Sequence, residues 1–393
     1  MLALTAAGCG SSGSQGADLA GSDALADDVA DASTPDVADA AVHDTTNDSA
    51  IDADDDLIPS DVTSDDGDAW VPFYPDTLVM DDVIRLNQIQ IKGTHNSYHI
   101  ESPESLPQWR YTMAPLDVQL ESQAVRQIEL DIHLTYDNDL EVFHVPFADP
   151  LSTCVKFKDC LRIVRNWSDR NPSHLPIFIL IEPKDDMDGE DLKLVGRLDL
   201  VEQEILTVFR RERIITPDEV RNGHSSLREA LVQDGWPTLG QSRGRVMFLM
   251  LDNAEHLDAY VLQRPNLEGA LIFGRNGRGE PWSSILELMH PDRESRFQEI
   301  QSAVDENYLV RSNADDSDTP AAEAEVKGTK AIESGAHLIN TDHPVMGSVS
   351  GQDPDYKFDL PDGVTAICNA KNAPEGCTPE ILERLKPDYG ASN

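Results

Sequence analysis

Four short segments of the chain combine imidazoles, carboxylates and an amide: Gly93-Thr94-His95-Asn96-Ser97-Tyr98, Glu129-Leu130-Asp131, Val142-Phe143-His144 and Ile181-Glu182-Pro183-Lys184. In an extended strand the side chains at i and i+2 share a face, so Glu129 and Asp131 point together, as do Glu182 and Lys184. Carboxylates gathered at neighbouring strand ends repel one another and lose solvation unless a cation neutralises them. Asn96, Glu129, Asp131 and Glu182 offer only oxygen, a donor set for hard Ca2+, or less readily Mg2+, rather than zinc. His95 and His144 add groups able to carry protons near neutral pH. The competing reading is an ion-pair cluster in which Lys184 and Arg126 neutralise the carboxylates and the histidines are structural.

These residues do chemistry only if the fold brings them together. Apolar and β-branched runs mark eight strands, at 89–92, 127–132, 141–144, 177–181, 245–251, 270–273, 308–310 and 336–340. Between them lie helical patterns, notably at 192–211 and 320–334, the latter closed by Gly335 as a helix-ending glycine. Strand and helix in alternation imply a parallel sheet, and eight such units imply a closed (β/α)8 TIM barrel, an α/β fold; an open doubly wound sheet is the alternative. Apart from Arg126, the polar residues singled out above fall at the C-terminal ends of these strands, where such barrels build their sites. Arg275, in the glycine-rich turn after the sixth strand, and Arg311, after the seventh, join Lys184 as candidates to hold an anionic substrate. His343, beside Asp342 past the last strand, is read as structural. The acidic run 185–191 lacks the ligand order of an EF-hand and is read as a solvated loop.

The net charge of −41 is unevenly spread, because residues 10–70 hold seventeen Asp and no Lys, Arg or Glu. Such a tract buries too little apolar surface to offset its chain entropy and reads as a disordered tether. No Lys or Arg precedes Arg85, and a surface this acidic repels phosphate backbones, so nucleic acid is not expected as a partner. A folded domain is expected over 71–393, with an irregular extension from about 348, acting as a monomer. The short loops between Cys154 and Cys160 and between Cys368 and Cys377 suit two disulfides formed in an oxidising compartment. Leu4-Thr5-Ala6-Ala7-Gly8-Cys9 resembles the lipobox of bacterial lipoproteins, with Ala6 where leucine is usual. That resemblance implies a lipidated Cys9, a truncated signal peptide over 1–9, and an exported protein that is anchored to the cell envelope or extracellular.

Taken together, Lys92-Gly93-Thr94-His95-Asn96-Ser97-Tyr98, Glu129-Leu130-Asp131, Val142-Phe143-His144 and Ile181-Glu182-Pro183-Lys184 resemble the phosphoinositide-specific phospholipase C superfamily, and within it the calcium-dependent branch, over roughly residues 85 to 345. The resemblance implies calcium held by Asn96, Glu129, Asp131 and Glu182, and a substrate phosphate flanked by His95 and His144. It implies attack of the inositol 2-hydroxyl on the adjacent phosphodiester of an inositol phospholipid at a membrane surface, releasing diacylglycerol and a 1,2-cyclic phosphate. His144 is then the leaving-group acid and His95 the phosphate stabiliser or base, with Glu129 or Glu182 as alternative bases. Glycerophosphodiester phosphodiesterases share the order of these motifs but carry His-Arg where this chain has His95-Asn96. That enzyme class, and a non-catalytic lipoprotein that binds headgroups through calcium, are the alternative readings.

Overall fold

The computed structural model describes residues 79–103, 105–185, 192–251 and 255–383. Cys9, the 10–70 tract and residues 186–191 lie outside the described residues.

The strands are β1 (Ile89–Thr94), β2 (Val125–Leu134), β3 (Leu140–Val142), β4 (Ile177–Pro183), β5 (Ile214–Ile215), β6 (Val246–Met250), β7 (Ile272–Phe273), β8 (Ile285–Glu287), β9 (Leu309–Asn313), β10 (Leu338–Thr341) and β11 (Ala366–Cys368). Parallel pairing runs β6-β4-β2-β1-β10-β9-β8, and β7 pairs with the upper half of β6, above the short β5 on the same edge. A single parallel bridge between Arg275 and Ile285 joins β7 to β8 and completes the ring. The TIM-like α/β fold expected from the sequence is therefore present, with one of the eight expected strands replaced by another.

The run 141–144 is not a barrel strand, because β3 pairs antiparallel with β2 as a hairpin, Ile132 opposite Val142. The intervening Thr135–Asp139 is far too short for a parallel crossover, and Asn138 turns it with a φ of 59°. The missing barrel strand is β8, only three residues long, too short to register as a periodic pattern. The helix expected over 192–211 forms only as Leu198–Val208, since Gly196 has a φ of 73° that no helix accommodates. The helix Ala321–Ser334 does end on Gly335 in the left-handed conformation.

Alternation along the strands sorts the core. Ile128, Leu130 and Ile132 of β2 and Ile177, Ile179 and Ile181 of β4 face the surrounding helices, including Phe157–Arg170 and Leu198–Val208. The other set points into the barrel, where Ile89, Ile91, Phe178, Leu180, Met247, Leu249, Leu309 and Leu338 fill its lower part. One step further up the same faces stand Glu129 and Asp131 of β2, Glu182, Glu287 and Arg311. Apolar residues thus seal the base and charged ones crown the top of the same strands. At Gly93 an added Cβ would lie 2.2 Å from Gln127 Oε1, so glycine lets β1 and β2 close under the crown.

The segment after 348 is more ordered than an irregular extension. Its β11 pairs antiparallel with the start of β1, and Glu383 bonds Arg126 through both of its oxygens. Arg126, expected as a possible counter-ion of the site, instead ties this extension to the barrel's base, where its Nη1 donates to the Leu120 and Val125 carbonyls.

Candidate active site

The turn after β1 places the first group. Asn96 has a φ of 41°, a left-handed bend that asparagine tolerates, and it turns the chain so that His95 stands at the barrel mouth. His95 Nδ1 lies 2.9 Å from Asp342 Oδ1 and its Nε2 3.7 Å from Glu129 Oε1. Burial disfavours charge on this ring, but the Asp342 and Glu129 carboxylates outweigh it and raise its pKa to about 10. A cation on Glu129 would withdraw one of those two pulls.

Glu129, Asp131 and Glu182 bring carboxylate oxygens within 4.8 Å of one another. The register sets this directly, since Asp131 sits opposite Glu182 across the β2–β4 pair. Burial and then the neighbouring Glu182 push Asp131 up to about 8, against the opposing charge of Lys184. Lys184 Nζ lies 2.7 Å from Glu182 and 3.1 Å from Asp131, so the ion pairing considered as the plain alternative does exist. It does not satisfy the cluster: both Asp131 oxygens and Glu129 Oε1 are buried without a hydrogen bond, the Lys184 contact to Asp131 lacking hydrogen-bond geometry. Buried carboxylate oxygens left unpartnered are costly. Asn96 is buried beside them; its Nδ2 donates to the Tyr111 hydroxyl at 2.9 Å and its Oδ1 is 3.4 Å from that of Tyr98, whose phenol is raised by burial and by Asp131. Hard oxygen donors, orphaned and gathered around one point, fit a calcium ion.

Across the mouth, His144 stands in the turn after β3 rather than at a strand end. Its Nδ1 is 2.8 Å from Asp149 Oδ2, and the Trp109 ring meets it edge-on at 5.0 Å. Burial lowers its pKa, with Lys184 and His95 adding to the effect against Asp149. The expected substrate arginines are already engaged: Arg311 bonds Glu129 and Glu287, and Arg275 pairs with Glu287. These residues, with His95 and Glu182, line a cavity of about 250 Å³. His343 lies 3.3 Å from Asp315 and packs edge-on against Tyr356, with both ring nitrogens buried and without a hydrogen bond. The disulfides Cys154–Cys160 and Cys368–Cys377 are both formed.

Sequence reasoning missed Asp342, Asp149 and Glu287. The first two each orient a histidine, and Asp342, directly after β10, stood at a strand end and could have been found there. Asp149 returns to His144 through the bridge that closes the turn Val145–Asp149, and no spacing rule announces that.

The family model for calcium-dependent phosphoinositide phospholipase C matches residues 84–139 and 135–370. The chain belongs to this family. It is therefore an enzyme of the phosphodiesterase class, and a phosphoinositide phospholipase. Solved structures agree in fold. A calcium-dependent phosphoinositol-specific phospholipase C from a Gram-negative Pseudomonas species is 19% identical, with a TM-score of 0.50 over 70% of this chain and 96% of that one. The calcium-dependent phosphatidylinositol-specific phospholipase C of Streptomyces antibioticus is 18% identical, with a TM-score of 0.50 over 66% of this chain and 95% of that one. No protein in the curated set matches the sequence. Calcium dependence is thus a property of the family, and in this phospholipase the described residues supply an oxygen cluster suited to it. Among the described residues no helix is long and apolar enough to cross a membrane.

Proposed function

We propose that the enzyme cleaves phosphatidylinositol, or a related inositol phospholipid, to diacylglycerol and inositol 1,2-cyclic phosphate. The observation that carries this reading is the pairing of two carboxylate-backed imidazoles, His95–Asp342 and His144–Asp149, with an orphaned oxygen cluster at one barrel mouth. Asn96, Glu129, Asp131 and Glu182 would hold the calcium ion. When bound, such an ion acidifies the inositol 2-hydroxyl and stabilises charge on the phosphate oxygen. His95, kept protonated by Asp342 and Glu129, stabilises charge on the phosphate oxygen, while Glu129 or Glu182 takes the hydroxyl proton as the 2-oxygen forms its bond to phosphorus. His144, its Nδ1 held by Asp149, gives its Nε2 proton to the departing diacylglycerol oxygen as the phosphorus–oxygen bond breaks. Attack by a neighbouring hydroxyl needs little further positioning. Lys184, Arg275 and Arg311 frame the headgroup, the arginines through Glu287.

A lipid surface as the seat of the substrate is supported by the loops around the mouth. Phe147, three residues after His144, is 98% exposed, and Leu106, Leu151 and Met346 are exposed in neighbouring loops. Such apolar side chains suit the headgroup boundary of a bilayer. We extend the proposal to a lipidated Cys9, a tether over 10–70 and a monomeric catalytic domain from about 71.

Phosphorus NMR of the products from phosphatidylinositol vesicles tests the reading. Cyclic inositol phosphate should form with calcium and not with chelator; activity that persists in full with chelator refutes the calcium role, and a non-cyclic first product refutes the 2-hydroxyl attack.

A further inference from the structure

His99 follows the His95-Asn96 pair by one turn and is wholly buried. Its Nδ1 lies 2.8 Å from the Tyr111 carbonyl oxygen and its Nε2 2.7 Å from Asp149 Oδ2. A carbonyl oxygen accepts and cannot donate, and a carboxylate likewise, so both contacts are satisfied only if both ring nitrogens carry protons. The alternative is a protonated Asp149 donating to Nε2. Burial alone would favour it, but hydrogen bonds from His144 and His99 outweigh burial and hold Asp149 below the usual carboxylate range. The Tyr111 ring, with its centroid 4.3 Å from that of His99, offers a π face that suits a cation.

The same Asp149 Oδ2 also accepts from His144 Nδ1 at 2.8 Å, so one oxygen joins two imidazoles, while Asp149 Oδ1 makes no hydrogen bond. We propose that His99 is a positioning residue for His144: as an imidazolium clamped between the Tyr111 carbonyl and Asp149, it fixes the carboxylate that orients His144 and offsets that carboxylate's charge. A carboxylate facing one imidazole favours its charged form, and one already paired with a cation favours it less. The groups that face His144 are Asp149, which favours its charge, Lys184 and His95, which oppose it, and the His99 ring, edge-on with its centroid 6.2 Å away. His144 thus holds its Nε2 proton loosely, as a proton donor to an alkoxide should. The link to catalysis rests on the reading of His144 as leaving-group acid; the charge on His99 does not.

The test is long-range nitrogen–proton correlation NMR on the full-length, calcium-loaded chain labelled with 15N-histidine. His99 should show both ring nitrogens protonated near neutral pH, and His99→Gln should move the His144 midpoint upward. A singly protonated His99, or an unmoved His144 midpoint, overturns the proposal. Should His99→Gln fail to fold, Asp149→Asn decides: loss of the doubly protonated pattern at His99 supports the clamp, and its persistence overturns it. In turnover, His99→Gln should lower kcat on phosphatidylinositol by about 10–100-fold, less than loss of the acid itself. KM should stay unchanged, and an inositol nitrophenyl phosphate, whose leaving group needs no proton, should lose little. If the NMR result holds but both substrates suffer equally, the clamp stands and the acid role assigned to His144 fails.

Discussion

A buried carboxylate whose oxygens lack hydrogen bonds either protonates or binds a cation, and Asp131, with only the Lys184 charge 3.1 Å away, is poised between these fates. In calcium-free protein its pKa of about 8, raised from 3.8 chiefly by burial, means that the folded state holds a proton which the unfolded chain has lost. Stability of the calcium-free enzyme should therefore fall as pH rises from about 4 towards 8, and calcium should restore more of it at pH 8 than at pH 5. Thermal melts with and without chelator at both pH values check this, and equal calcium shifts would count against it. Asp131→Asn should flatten the pH dependence of the calcium-free melt while raising the calcium concentration needed for turnover. His144→Ala should lower kcat on phosphatidylinositol by about 10²–10⁴-fold, with a much smaller loss on a nitrophenyl leaving group. At this scale the oxygen cluster and His95 were legible because they stand at strand ends, where spacing is informative, whereas His144 stands in a turn and was picked out by the motif Val142-Phe143-His144. Glu287 was not, because its strand is three residues long and its importance lies in holding Arg275 and Arg311.

Elements were legible where length and periodicity agreed. The strands β4, buried except at Glu182, and β6, buried throughout, and the helix Ala321–Ser334 follow from apolar runs and a glycine stop. The hairpin of β2 and β3 looked like two barrel strands because both are apolar, and only the five-residue link between them shows that no crossover fits. The chain after 348 looked irregular because its regular pieces are short, yet β11 and the helix Pro379–Leu382 bury apolar groups against the barrel's base. Leu382 is fully buried there, so Leu382→Ala should cost about 2–4 kcal/mol, measured by denaturant unfolding. A cost near zero would show that the extension does not contribute to the core.

For the whole molecule, acid should act through two histidines far from the mouth. Burial holds both His174 and His337 at about 4, below the ordinary 6.5. His337 Nδ1 accepts from the Val310 N–H, so protonating it breaks a bond that the fold needs. Because the unfolded chain takes up these protons first, stability should be full above about pH 6.5 and fall by roughly 3 kcal/mol per histidine as pH drops to about 4. His337→Gln should remove part of that slope in acid titrations of unfolding. The closed barrel was expected from the alternation of strand and helix, but not that one backbone bridge at Arg275–Ile285 completes it. A ring with one thin joint opens first at that joint. The amides of residues 274–287 should therefore exchange with deuterium well before those of β2 and β4, and Glu287→Gln, by weakening the pairs that Glu287 makes with Arg275 and Arg311, should quicken that exchange while leaving the opposite wall unchanged. The hinge of the molecule would then run through the wall that faces the substrate, so that headgroup capture and the breathing of the barrel become a single motion, visible as slower exchange at 274–287 when myo-inositol is bound.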